Sequence, residues 1–225
     1  MKGFLHWRPT ITHDLHESVP FLYISTGTGP YNDEFDPITI AEWHTLAYNE
    51  ITELTRRGLA GVWTHGFYDG WAPNYMMSIT QFHNSTGRFY ETYTSSGADC
   101  QTVNLGAAQT QREWYRANPA VNGVRWCIRS NLNYQQSGVL LGLKYVGDHR
   151  TTFVENNIAK AERMIARGKS GSFSIEGYGW PSYGRAASGM SSYVPLRVNC
   201  IEYAMNTADS VIAVRESSRA QPGSR

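Results

Sequence analysis

A chain of 225 residues with 20 Lys+Arg against 19 Asp+Glu has a formal net charge of +1 and only 17% charged residues. That leaves too little basic surface for a protein that grips nucleic acid by its phosphates. Hydrophobic residues make up 41% of the chain and aromatics 13%, which excludes intrinsic disorder. At about 150 residues per domain, the length fits one large domain or one domain with an appendage.

The longest aliphatic stretch, residues 139–143 with Gly142 inside it, falls far short of the ~18 apolar residues of a membrane span, so no membrane partner is expected. Residues 1–8 hold no sustained apolar run ahead of Arg8 and Pro9, and no signal peptide is read there. Cys100, Cys127 and Cys200 are odd in number and widely spaced. They are expected to be free, mostly buried thiols, neither a disulfide framework nor a cysteine zinc knuckle.

The β-branched segment Thr10-Ile11-Thr12-His13-Asp14-Leu15-His16 predicts a strand that begins almost at the first residue. Gly, Pro, Asn and Asp crowd residues 23–37 and predict a long irregular loop. A helix follows, with Asp36 as its cap and Pro37 in its first turn. Ile40, Trp43, Ala47, Ile51 and Leu54 share one face of it, and Gly58 stands past its end. Residues 61–66 read as a short buried strand that opens at Gly66 into an aromatic loop with Phe67, Tyr68, Asp69 and Trp71. A second helix is expected near 74–83 and a strand over 87–94. Residues 124–146 and 152–166 look like an antiparallel helix pair. Beyond Lys169 serine, glycine and tyrosine dominate; only 211–214 suggests a strand, and 217–225 reads as a polar tail.

Side chains alternate along a strand, so Thr12, Asp14 and His16 project one way while Ile11, His13 and Leu15 project the other. His13, among aliphatics, reads as a hydrogen-bonded core histidine. His16 shares its face with Asp14 near a strand end and is the better metal ligand, although a lone His-x-x-His is a weak signal. Glu91 lies among Phe89, Tyr90 and Tyr93. Such apolar neighbours raise a carboxyl pKa into the range useful to a general base; the plainer alternative is a surface pairing with Arg88. His65 and Asp69 read as structural.

The segments Thr12-His13-Asp14-Leu15-His16-Glu17-Ser18, Gly87-Arg88-Phe89-Tyr90-Glu91-Thr92 and Asn133-Tyr134-Gln135-Gln136-Ser137-Gly138-Val139 resemble, in this order, segments of the carboxypeptidase A-like zinc metallopeptidases. The resemblance runs from the N-terminus to about Ala166. It implies an α/β fold, a mixed sheet flanked by helices and incomplete at its N-terminus. Residues 1–169 would be the later portion of the catalytic domain, and 170–225 a Ser/Gly/Tyr-rich tail. The implied activity is hydrolysis of C-terminal residues from peptides with one zinc ion, and relatives are often secreted. In that family zinc is held by an early His-x-x-Glu motif and a later histidine at a strand end; His16 matches the later histidine. A glutamate on a subsequent strand is the base that activates water, and Glu91 falls at its place. Tyr68 and Arg88 are the candidates for contacting peptide substrate.

The chain departs from the family at one point: none of its seven histidines has Glu three positions later. Two zinc ligands are therefore missing, and the chain is expected to be inactive alone or to need a complementary N-terminal segment. The alternative is a catalytically dead module holding peptide or glycan on the aromatic loop of Tyr68, Trp71 and Tyr75. A glycosidase pairing Glu34 with Glu91 is a distant third.

Overall fold

The computed structural model describes residues 2–19, 21–26, 31–32, 34–64, 70–71, 75–93, 99–105 and 123–170, and the backbone of 201–205 and 210–214. A short helix, α1 (Lys2–Trp7), precedes the first strand, β1 (Ile11–Glu17). The chain then forms β2 (Leu22–Ile24), α2 (Pro37–Arg56), β3 (Val62–Trp63), α3 (Met76–Gln81) and β4 (Thr86–Thr92). These four strands make one sheet in the order β1-β4-β2-β3. β1 runs parallel to β4, β2 antiparallel to β4, and β3 parallel to β2. The architecture is therefore α/β with a mixed sheet. All seven residues of β4 are buried, as befits a strand flanked by neighbours on both edges and covered on both faces.

The expected long loop at 23–37 begins later than the sequence suggested, because Phe21 to Thr26 are fully buried and supply β2. α2 starts as predicted: Asp36 accepts a hydrogen bond from the Ile38 amide at 2.8 Å, with Pro37 in the first turn. Its buried stripe holds Trp43, Leu46, Ala47 and Leu54, but also Thr39, Glu42 and Glu50. The two glutamates are eight residues apart on one face and go inside because each meets a buried cation. Arg88 Nη1 and Nη2 donate to the two Glu50 carboxylate oxygens at 2.7 and 2.6 Å, and Lys160 Nζ donates to Glu42 at 2.7 Å.

Residues 124–126 form a strand, where a helix was expected. β5 (Gln101–Val103) pairs antiparallel with β6 (Val124–Trp126). Two long helices follow, α4 (Ile128–Asp148) and α5 (Arg150–Ser170). α4 packs on the sheet face that carries Arg88 and Tyr90. Its Gly138 approaches the Tyr90 ring, where an added Cβ would lie 3.2 Å away, and Gly142 approaches Glu50 Oε1, where it would lie 2.4 Å away. Around this line Leu22, Ile24, Ala47, Leu54, Val62 and Tyr90 form the main core, joined by Tyr134, Val139 and Leu141. Each fully buried aliphatic there contributes roughly 1.5–3 kcal/mol. α5 is tied to α2 by long polar side chains, in place of the expected pairing along α4. Lys160 and Asn156 reach Glu42, and Arg163 grips the Asp36 cap with two bonds of 2.7 Å. α3 covers the opposite sheet face, against Gly87. β7 (Ile201–Met205) and β8 (Ser210–Val214) form an antiparallel hairpin in the C-terminal region.

The cysteine expectation is corrected. Cys100 and Cys127 form a disulfide with Cα atoms 4.1 Å apart. The β5–β6 register sets it, because Gln101 lies opposite Trp126 and so brings the adjoining cysteines together. Cys200 lies outside the described residues.

Candidate functional site

The parallel ladder between β1 and β4 places His16 directly opposite Glu91, and Asp14 opposite Phe89. Alternation then brings Asp14, His16, Phe89 and Glu91 to one face, at the carboxyl end of the two strands, where parallel sheets place their sites. The His16 ring lies 4.6 Å from the Phe89 ring, and its Nε2 is 3.0 Å from Asp14 Oδ2. Its side chain is 44% exposed, so the imidazole stands at the mouth of the site, oriented by the Asp14 carboxylate.

Glu91 is sunk beneath it at 5% exposure. Burial pushes its carboxyl up to about 7. A hydrogen bond from the Ser18 side chain and the charge of His16 work against that rise, while Asp14 and Glu17 add to it. Among the described residues, Glu91 Oε2 is buried without a hydrogen-bond partner. A carboxyl poised near neutral pH, with one oxygen open, can take and return a proton.

The opposite face of the same strands is structural. Burial, and then the Arg88 charge, lower the His13 pKa to about 4, so the ring is neutral. Its Nδ1 lies 3.0 Å from the Tyr90 hydroxyl, which itself donates to Glu50 Oε1 at 3.0 Å. Because the Tyr90 proton goes to Glu50, the His13 Nδ1–H is the donor to the Tyr90 oxygen. Burial pushes the Glu50 carboxyl up, and the Arg88 guanidinium opposes that push. His13 is thus the core histidine its flanking aliphatics suggested.

Arg88 requires correction. It is 0% exposed and bound on both prongs by Glu50, on the face away from Glu91. It neither pairs with Glu91 nor opens to a substrate, because an odd offset of three residues along a strand puts the two side chains on opposite faces. Tyr68, His65 and Asp69 lie outside the described residues. Trp71 is 2% exposed and packs edge-on against Phe82, which removes it from a surface loop. Glu34 pairs with Arg167 at 2.6 Å.

Among the described residues, no three His, Cys, Asp or Glu side chains gather as a metal site. No described helix is long and apolar enough to cross a membrane.

Sequence reasoning missed two amides that border the site. Asn131 Nδ2 donates to Glu17 Oε1 at 2.9 Å and to the Tyr93 carbonyl at 2.8 Å. Gln135 Nε2 donates to the His16 carbonyl at 2.8 Å and to Thr92 Oγ1 at 3.3 Å. Their spacing of four residues on one helix face was the available signal. Comparisons with protein-family models, with curated proteins and with solved structures returned no match.

Proposed function

We propose that this chain carries the later half of a zinc-carboxypeptidase-like site, with His16 as one metal ligand and Glu91 as the proton-transferring base for removal of C-terminal residues from peptides. The observation that carries this reading is the ladder register: the two residues singled out by the resemblance are direct partners on adjacent parallel strands, on one face, at the strands' carboxyl end. Glu91 has the proton affinity such a role needs, about 7. It would accept a proton from the attacking water and return it to the departing amine. The remaining zinc ligands would come from a complementary segment that meets the sheet at β1, the edge strand among the described residues.

The test supplies a related N-terminal segment bearing His-x-x-Glu and follows bound zinc and release of C-terminal residues on one preparation. The chain alone should bind zinc weakly, and the mixture stoichiometrically. His16→Ala should abolish the tight zinc. Glu91→Gln should leave zinc unchanged while hydrolysis falls by at least ~10²-fold. Stoichiometric zinc on the isolated chain, or full turnover by Glu91→Gln, overturns the proposal. The alternative, a dead binding module on the aromatic loop, is weakened by the burial of Trp71.

A further inference from the structure

The ends of β1 and β4 that carry His16 and Glu91 are held within the sheet, where β2 pairs with Glu91 and Thr92, and also from outside it. The ladder stops at the pair Glu17 and Thr92; beyond it the Val19 amide donates to the Thr92 carbonyl at 3.1 Å, and the first two turns of α4 add side-chain connections. Asn131 is 1% exposed, and its amide makes three hydrogen bonds. Both Nδ2 protons go to Glu17 and to the Tyr93 carbonyl, while Oδ1 accepts from Trp126 Nε1 at 2.5 Å. One turn on, Gln135 spans the His16 carbonyl and Thr92 Oγ1. Two amides thus knit the exit of β1 to the exit of β4 and join both to β6. A buried amide held by three hydrogen bonds has one low-energy placement, because any shift strands a donor or acceptor.

The placement of α4 is set at its first residue. Cys127 immediately precedes the helix, and its disulfide to Cys100 locks the open end of the β5–β6 ladder there. Cys100 is exposed and Cys127 half-buried, so a small thiol can reach the bond. We propose that Asn131 and Gln135 are positioning residues for the His16–Glu91 site, and that the Cys100–Cys127 disulfide makes their grip responsive to a dithiol reductant. A thiolate of the dithiol attacks one sulfur and forms a mixed disulfide. Its second thiolate then closes the ring, leaving two cysteine thiols and one cyclic disulfide. Two electrons and two protons pass from the dithiol to the protein. Reduction frees the helix start, the Trp126–Asn131 bond loosens, and the two strand ends lose their side-chain ties to α4.

The consequence for catalysis rests on the His16–Glu91 reading, whereas the clamp is tested without any activity. Residue-resolved hydrogen exchange is followed on the full chain, oxidised and then treated with dithiothreitol. Amides at Glu17, Ser18, Thr92 and Tyr93 should exchange at least tenfold faster after reduction, those at Thr12, His13, Arg88 and Phe89 should stay within twofold, and reoxidation should restore the first rates. Asn131→Asp keeps an acceptor for Trp126 but has no donor for Glu17 or Tyr93, so it should reproduce the reduced pattern with the disulfide intact. A uniform rise at all these amides would make the disulfide a general staple and overturn the proposal. So would unchanged strand ends on reduction, or an oxidised Asn131→Asp chain that exchanges like the parent. Should the variant fail to fold, the reduction experiment on the parent chain decides alone. Absence of zinc-dependent hydrolysis in the oxidised completed domain, with the exchange pattern as expected, would count against His16 and Glu91 and leave the clamp standing.

Discussion

His13 and His16 differ in chemistry because three residues along a strand is an odd offset, which sends the two rings to opposite faces. His13 faces Tyr90 and Glu50 and is held neutral, its pKa lowered from 6.5 to about 4 by burial and by Arg88. This shift has a sign that can be measured. Below about pH 6.5 the unfolded chain takes up a proton at His13 while the folded chain does not, so the contribution of the neutral ring is complete above that pH. It is lost as pH falls from 6.5 through 4. A shift of this size corresponds to roughly 3 kcal/mol as an upper figure. His13→Gln retains an amide donor for the Tyr90 oxygen and cannot be protonated. Urea unfolding at pH 7, 5.5 and 4 should show the parent losing up to roughly 3 kcal/mol more than the variant; parallel losses would assign the acid sensitivity to other groups. Arg88 was unreadable for a related reason. Its sequence neighbours offered Glu91, but the residue that binds it, Glu50, is 38 positions away on another element.

α4 reaches the sheet along a line of two glycines, and the helix contains a third that touches nothing. At Gly142 an added Cβ would stand 2.4 Å from Glu50 Oε1 and 3.2 Å from His13 Cε1. That carboxylate oxygen is pinned by Arg88 and Tyr90 and cannot swing aside without breaking a buried ion pair. Gly142→Ala should therefore destabilise by about 2 kcal/mol or more. Gly147 has nothing within 4 Å, and there Ala should stabilise by about 0.5–1 kcal/mol through helix propensity alone. Thermal unfolding of the two variants side by side separates close approach from propensity, and equal shifts would contradict this packing. The same helix shows what a sequence makes legible. Its body was readable from apolar spacing, as were α2 with its Asp36 cap, β1 and β4. Residues 124–126 were not, because Val124 and Trp126 fit the start of a helical pattern as well as a strand, and the strand's partner, residues 101–103, is remote. β2 was hidden by its brevity, three residues between a proline and a glycine-rich run. His16 and Glu91 could be singled out as candidates, but their facing each other depends on a strand order that no local pattern encodes, and the cysteine pairing on a ladder between distant segments.

The molecule is drawn together across its length by Glu42, a single carboxylate inside α2. Thr86 at the start of β4 donates to its Oε2 at 2.6 Å, Lys160 of α5 donates to the same oxygen at 2.7 Å, and Asn156 donates to Oε1 at 2.9 Å. These partners stand 44, 118 and 114 positions from Glu42, so one side chain fixes the central strand and the last long helix relative to α2. Lys160 is fully buried, and an ammonium there is tolerable only while the carboxylate remains beside it. Lys160→Met keeps most of the stem's packing but leaves Glu42 as a buried anion with two neutral donors, and should cost about 3–5 kcal/mol. Glu42→Gln leaves the ammonium in the same difficulty from the other side. The double variant, Glu42→Gln with Lys160→Met, leaves no buried charge at this site. It should therefore be markedly more stable than the sum of the two losses predicts, with a coupling of about 1–3 kcal/mol in a urea double-mutant cycle. Strict additivity would mean that the two groups do not share a buried contact, and that α5 is held to the rest of the chain by its exposed Arg163 and Arg167 pairs instead.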